Sequence, residues 1–319
     1  IGWLGGGFDP TQHYLGWAFF RQSPWTIPLG LNPDFGMDIS SSIVYSDSIP
    51  LFAIVFKVFS GFLSTPFQYF GFWILLCFLL QGYFAWRLVA LLNLSPIARW
   101  AASLLFVFSP PLFWRIGLHA ALVAHWLILA ALYLNFRPNQ NRRTLYWAIL
   151  VCLSALVHFY LLTMVVGMWI ASMLDQARLG FANPNDKDTT RSYSGWIHEV
   201  VIVGMLAALV MWQAGYFAVS RSATATLSYG VSRMNLLAPF DARHWSYVLP
   251  SIADAQGRLS DLDMSARAYE NFSYWGAGVL GLFVGILFLW VMKRRKTASR
   301  HAPCIAMNPA HINEKGVIN

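Results

Sequence analysis

Apolar and polar positions alternate along this chain in long blocks rather than at the period of a strand or a surface helix. The charge-free runs cover 58–86, 100–114, 116–136, 144–174, 200–220 and 271–292. A hydrocarbon core is crossed by roughly 20 apolar residues in a helix. The runs therefore predict spanning helices at about 67–90, 97–114, 117–136, 144–157, 159–175, 197–219 and 273–292. The run 144–174 is too long for one ordinary span. Its midpoint, His158-Phe159-Tyr160, predicts a tight reversal between two shorter helices, against the competing reading of one long tilted helix.

Basic residues decide between the two. Short cytoplasmic loops carry an excess of Lys and Arg. Arg87 and Arg99, the loop with Arg137, Arg142 and Arg143, and the cluster Lys293-Arg294-Arg295-Lys296 fall on one side only if the chain reverses at His158. The stretch 49–63 is apolar but carries Lys57 at its middle, and a central lysine costs about 2.5–3.5 kcal/mol on insertion scales. An interfacial helix fits it better than a span.

Composition agrees with a membrane protein: 57% of residues are hydrophobic, 11% are charged and the mean hydropathy is +0.50. The expected fold is an all-α polytopic transmembrane bundle of about seven spans in a bacterial inner (cytoplasmic) membrane. Residues 1–66 form an extracytoplasmic loop with the interfacial helix, 67–219 the helical body, 220–272 a second large outer loop, 273–296 the final span and 297–319 a disordered tail. No signal peptide is visible and the chain starts at Ile1, so a further span is expected to precede it. The net charge of +8 sits in short loops between apolar runs, which argues against a nucleic-acid partner. Cys77, Cys152 and Cys304 show neither disulfide nor metal-ligand spacing.

Candidate chemistry concentrates near the start. Asp9, Asp34, Asp38 and Asp47 stand in a segment whose only cations are Arg21 and Lys57, and the next acidic residue is Asp175. Carboxylates gathered beside a membrane suit general-base work or, with Asp9 and Asp38 as ligands, a divalent cation. The plainer alternative is that they cap helices and start turns. His13 follows Asp9 by four and shares its face if Pro10 begins a helix, as a base and its orienter, as metal ligands, or as a cap and a surface histidine. Trp3, Tyr14, Trp17, Trp25 and Tyr45 suit either sugar-ring packing or interfacial anchoring.

A second, cationic group follows. Arg115 lies beyond Ser109-Pro110-Pro111, where a helix must end or kink, and a guanidinium there can hold a phosphate or snorkel to the interface. His119 is placed near the same boundary, His125 deeper, and His158 with Tyr160 at the proposed reversal. His13, Tyr45, Lys57, Arg115, His119, His158 and Tyr160 make up the expected substrate-binding set.

An early loop aspartate, the helix start Ile49-Pro50-Leu51 and many following spans resemble the polytopic GT-C glycosyltransferases. More closely, Gly6-Gly7-Phe8-Asp9-Pro10-Thr11-Gln12-His13-Tyr14-Leu15-Gly16-Trp17, the stretch from Ser42 through Tyr45 and Asp47 to Leu51, and Arg115, His119 and His125-Trp126 resemble a bacterial DUF6311-type branch of that superfamily. The resemblance covers roughly residues 1–292. It implies a sugar donor on a polyprenyl phosphate, a glycan or lipid-linked acceptor at the cell surface, Asp9 as catalytic base and Asp38 or Asp47 as a second carboxylate. By the same resemblance, a further span is expected before residue 1 and more chain after the span that follows the large loop. A transporter or flippase of a lipid-linked substrate and a non-catalytic membrane subunit are the other readings. The first predicts ionisable groups near the midplane; the second predicts that the aspartates tolerate replacement.

Overall fold

A computed structural model of the protein describes residues 8–36, 41–137, 141–182, 193–218, 236–243, 245–249, 251 and 272–300. The described chain is helical apart from one two-residue ladder. An N-terminal helix α1 (Phe8–Gln22) leads to strands β1 (Leu31–Asn32) and β2 (Ser41–Ser42), which pair antiparallel with Leu31 opposite Ser42. A 3-10 turn at Ile43–Ser46 precedes α2 (Pro50–Val58). The apolar body follows as α3 (Phe70–Val89), α4 (Pro96–Val107), α5 (Pro110–Ile116), α6 (Trp126–Phe136), α7 (Arg143–Ala155), α8 (Phe159–Ala182) and α9 (Tyr193–Ala214). Helix α10 (Ala277–Arg300) is a compact unit of its own.

Among the described residues, five helical segments are long and apolar enough to cross a membrane: Phe70–Leu92, Pro96–Ile116, Phe159–Arg178, Gly195–Ala214 and Ala277–Arg294. This is the architecture of a multi-pass membrane protein. The other two expected spans correspond to Ala120–Phe136 and Arg143–Ala155, apolar but shorter than that length. Local chemistry explains the shortening. Residues 117–136 do not run as one helix; a 3-10 turn at Ala120–Val123 comes first and α6 begins only after His125. Likewise 97–114 breaks at Ser109, because Pro110 and Pro111 are tolerated only where a helix starts.

The expected reversal near His158 is present, with α7 ending at Ala155, α8 starting at Phe159, and the two helices packed on each other. Helix α8 extends to Ala182 and α9 begins at Tyr193, so both reach further into the polar linker than hydropathy suggested. Of that linker, 183–192 lies outside the described residues, as do most of 220–272 and all of 301–319. The described part of 220–272 packs Trp245 and Phe272 on Trp114 of α5, at ring separations of 5.7 and 4.9 Å.

Helices α3 with α4 and α6, α6 and α7 with α8, and α7 with α9 form the packed body. Helix direction alternates through short links, so Arg87, Arg99, Arg137 and Arg143 collect at one end. The segment 8–69 packs at the other. Its α2 is short, and apolar side chains near and just beyond its end (Val55, Val58, Phe59, Phe62) are exposed.

Candidate functional site

Helix α1 supplies the first wall. Asp9 sits in its first turn with Pro10 next, a carboxylate near the N-terminal dipole and a residue preset for helix entry. Asp9, His13 and Gly16 recur along one face. That face docks on residues 43–48. Gln12 Nε2 donates to the Tyr45 carbonyl at 3.1 Å, and His13 Nδ1 donates to the Ser46 carbonyl at 3.0 Å. Ser48 Oγ returns a bond to the His13 carbonyl at 2.7 Å. A Cβ on Gly16 would lie 2.1 Å from Ser46 Oγ, so the close approach requires glycine.

The docked segment is strained where it carries chemistry. Asp47 has φ 51 and Ile49 has φ 55, both left-handed. A β-branched residue there is a genuine outlier, and such residues persist at about 1–3 kcal/mol each only where surroundings over-determine them. Ile49 is fully buried, its carbonyl accepts from Ala53 N–H at 3.0 Å, and the Tyr69 hydroxyl donates to the Ser48 carbonyl. The strained turn aims the Asp47 carboxylate at the link between α7 and α8.

The body contributes the opposing groups from three helix ends. Arg115 closes α5, and His119 follows in an extended link fixed by Trp73 Nε1 donating to the Ala120 carbonyl at 2.8 Å. His158 stands at the start of α8. After α9, Gly215 turns with φ +88, and its carbonyl accepts from Ser42 Oγ at 2.8 Å. That turn presents Tyr216, whose carbonyl accepts from the Tyr45 hydroxyl at 2.7 Å and whose own hydroxyl donates to the Ala155 carbonyl at 2.8 Å.

Two carboxylate–imidazole pairs result. His158 Nε2 lies 3.2 Å from Asp47 Oδ1, and His119 Nε2 lies 3.6 Å from Asp9 Oδ2. The His13 ring is 6.0 Å from that of His119, with its Nε2 making no protein hydrogen bond among the described residues. A cavity of about 560 Å³ opens beside them. Its walls are Asp47, Arg115, His119 and His158 on the polar side, and Tyr45, Phe159, Tyr160, Tyr216 and Phe217 among the aromatic side chains.

Electrostatics separate the pairs. Burial pushes the Asp47 carboxyl up, but the hydrogen bond from His158 and the electrostatic pull of His158, His13 and His119 outweigh it and hold Asp47 below the ordinary 3.8. His119 is held below the ordinary 6.5, chiefly by burial and further by Arg115 and His13, against the pull of Asp9 and Asp47. At neutral pH the site thus combines an anionic Asp47, a neutral imidazole at His119 and the Arg115 cation. Such a set can accept a proton on one wall and hold an anion on another.

The structure brings together Asp9, His13, Tyr45, Asp47, Arg115, His119, His158 and Tyr160 from the sequence-based set. It separates Lys57, which is buried elsewhere, donating to Ser23 Oγ at 3.0 Å and the Pro24 carbonyl at 3.3 Å, with its ammonium 4.0 Å from the Phe20 ring. A lysine on an apolar helix sheds the membrane by folding back onto the loop, so it is not available to the cavity. Asp38 lies outside the described residues, and with it half of the Asp9/Asp38 metal pair. Among the described residues no cluster of three or more His, Cys, Asp or Glu could hold a metal ion. Arg21 binds the carbonyls of Ser60, Leu63 and Ser64 rather than an aspartate, Trp17 is core, and His125 does not line the cavity. Tyr216 and Phe217 escaped sequence reasoning; the only signal was a Gly215 turn closing a long apolar run.

The family described as Domain of unknown function (DUF6311) matches residues 1–311, and the chain belongs to it. No curated protein and no solved structure matches the chain.

Proposed function

We propose that this DUF6311-family protein is an integral membrane glycosyltransferase. It moves a sugar from a polyprenyl-phosphate donor to a hydroxyl of a cell-surface glycan or a lipid-linked acceptor, in a bacterial inner membrane. The reading rests on one observation: a partly aromatic cavity of about 560 Å³ at the end of an apolar helical body, with a carboxylate on one wall and Arg115 and His119 on another. Aromatic faces suit sugar rings. A guanidinium suits a phosphate whose negative charge grows as it leaves.

In the proposed step the acceptor oxygen attacks the anomeric carbon and the bond from that carbon to the phosphate oxygen breaks. The acceptor proton goes to a carboxylate, and the polyprenyl phosphate departs with one further negative charge, facing Arg115 and His119. Sequence resemblance favours Asp9 as the base. The geometry favours Asp47, because Asp47 lines the cavity whereas Asp9 reaches it only through His119. We assign Asp47 as base and Asp9 to holding His119.

The test is direct. Full-length protein in liposomes is given a polyprenyl-phosphate sugar and a hydroxylated acceptor, and free polyprenyl phosphate and glycosylated acceptor are measured. Equal amounts of the two products support transfer. Movement of the donor between leaflets without either product would favour a flippase and remove the proposal.

A further inference from the structure

His158 was expected to touch substrate, and its surroundings give it other work. It is the residue immediately before α8, and its carbonyl accepts the first bond of that helix, from Leu162 N–H at 3.0 Å. Its side chain also caps the helix: Tyr160 N–H donates to His158 Nδ1 at 3.1 Å. Helix N-termini leave backbone donors without intrahelical partners, and a side-chain acceptor at this position satisfies one of them. The usual caps are Ser, Thr, Asp and Asn, all too short to do a second task several ångströms away.

A histidine can do both. An imidazole nitrogen that accepts an N–H bond carries a lone pair, so the ring hydrogen is on the other nitrogen. That nitrogen, Nε2, lies 3.2 Å from Asp47 Oδ1 and donates to it. Both nitrogens of His158 are therefore engaged by the protein. What reaches the cavity from this residue is the ring, 4.9 Å from the Tyr160 ring. Meanwhile Asp47 sits on a left-handed backbone at φ 51, and among the described residues its carboxylate is paired with His158.

We infer that His158 is a positioning residue: it caps α8 through Nδ1, holds one oxygen of Asp47 through Nε2–H, and leaves the second oxygen directed at substrate. The start of a transmembrane helix thereby sets the aim of a carboxylate on a separate loop. This rests on the proposed sugar transfer for its activity readout, and on the hydrogen-bond network alone for its structural one.

Two measurements on the full-length protein in detergent test it. In protein labelled with nitrogen-15 histidine, the resonances that vanish in His158→Gln report the His158 ring. They should show hydrogen on Nε2 and none on Nδ1; hydrogen on Nδ1 overturns the inference whether or not sugar is transferred. In the transfer assay, corrected for folded fraction, His158→Ala should lose about 10–100-fold, the range for groups that orient a reacting partner. The loss should fall in kcat, with KM for the donor little changed. Glutamine offers an acceptor and a donor, so His158→Gln should regain at least about tenfold of that loss. A glutamine variant as poor as alanine, or a loss confined to KM, makes His158 a substrate-contacting group and overturns the inference. If the wild-type protein transfers no sugar, the functional proposal fails while the nitrogen-15 result still decides the role of His158.

Discussion

Two ends of the same helices carry ionised groups, and they are built differently. At the far end of α7–α9, Glu199 is fully buried and accepts from Arg143 Nε at 3.2 Å, Thr144 Oγ1 at 3.3 Å and Trp169 Nε1 at 2.8 Å. Arg143 also donates to Ser172 Oγ at 2.9 Å. The carboxylate, on α9, is enclosed by donors from α7 and α8, and it does not line the cavity of the other end. At the near end, Asp47 and Asp9 each face one imidazole, are about a third exposed, and stand at or beside open space. A buried charge surrounded by partners locks helices together. A charge held on one side and open on the other can act on a ligand.

The largest effect should come from breaking the enclosed end. Removing one partner of a buried pair leaves an uncompensated charge and costs about 3–5 kcal/mol. Glu199→Ala should therefore lower the melting temperature of the purified protein sharply, while folded molecules keep their activity. Replacing both partners, Arg143→Met with Glu199→Leu, should recover most of the loss, since apolar packing often replaces such pairs without penalty. A double variant that is stable yet inactive would place the far end in the functional machinery and dissolve the contrast.

The open end should respond the opposite way. Asp47→Asn keeps shape and removes the charge, so transfer should fall by about 10²–10⁴-fold, the contribution typical of a positioned acid or base. Melting at neutral pH should move by no more than about 1 kcal/mol of stability, since the Asp47 carboxylate is still partly open to solvent. The pH dependence has a definite sign. Because the folded Asp47 lies below 3.8, its contribution is fully present above that value and is lost as pH falls through the folded one. Acid titration of stability in Asp47→Asn should lack that loss.

A third change asks whether the open end depends on how α1 is seated. In an isolated helix Gly→Ala gains about 1 kcal/mol. At Gly16 the new Cβ would stand 2.1 Å from Ser46 Oγ and 2.3 Å from Ser46 Cβ, and overpacking of that kind costs about 1–3 kcal/mol. The steric term wins, so Gly16→Ala should destabilise. Because the displaced segment carries Asp47, activity per folded molecule should fall too, which Glu199→Ala should not cause. Equal activity in Gly16→Ala would mean that the aim of Asp47 does not depend on α1.

Much of this arrangement is legible in the amino-acid sequence. Hydropathy located the apolar runs, the basic residues favoured the reversal at His158, and Pro110-Pro111 marked the break in the second span. The site residues were legible by type because ionisable groups are rare in such a chain. Their pairing was not. Asp9 and Asp47 are separated from His119 and His158 by about a hundred residues of sequence, and only the packing of α5, α7 and α8 brings them together. Arg21 and Lys57 are the only cations near the aspartates in sequence. Both instead satisfy loop carbonyls and hydroxyls, which no periodicity encodes. Glu199 was overlooked because it opens an apolar run, where one acid reads as a boundary residue.

Lys57 gives the smallest effect and the finest test of the contrast, since it is a buried ion at the open end that does not face the cavity. Burial lowers its ammonium from 10.5 to about 8, with Asp34 pulling weakly the other way. Between those two values the unfolded chain holds more protons than the folded one, so stability rises with pH across that window. Below about 8 both states are charged and the full burial penalty remains. Lys57→Met removes the charge and keeps the volume while giving up the bonds to Ser23 and Pro24. The balance should favour the variant by roughly 1 kcal/mol at pH 7, since a buried polar group costs about 1–3 kcal/mol in proteins and its hydrogen bonds return about 1. Thermal melting from pH 7 to 10.5 should show a rising curve for the wild type and a flatter one for Lys57→Met. Sugar transfer should be unchanged at pH 7. A large drop in transfer by a stable Lys57→Met variant would return this lysine to the substrate-binding set from which the geometry removes it.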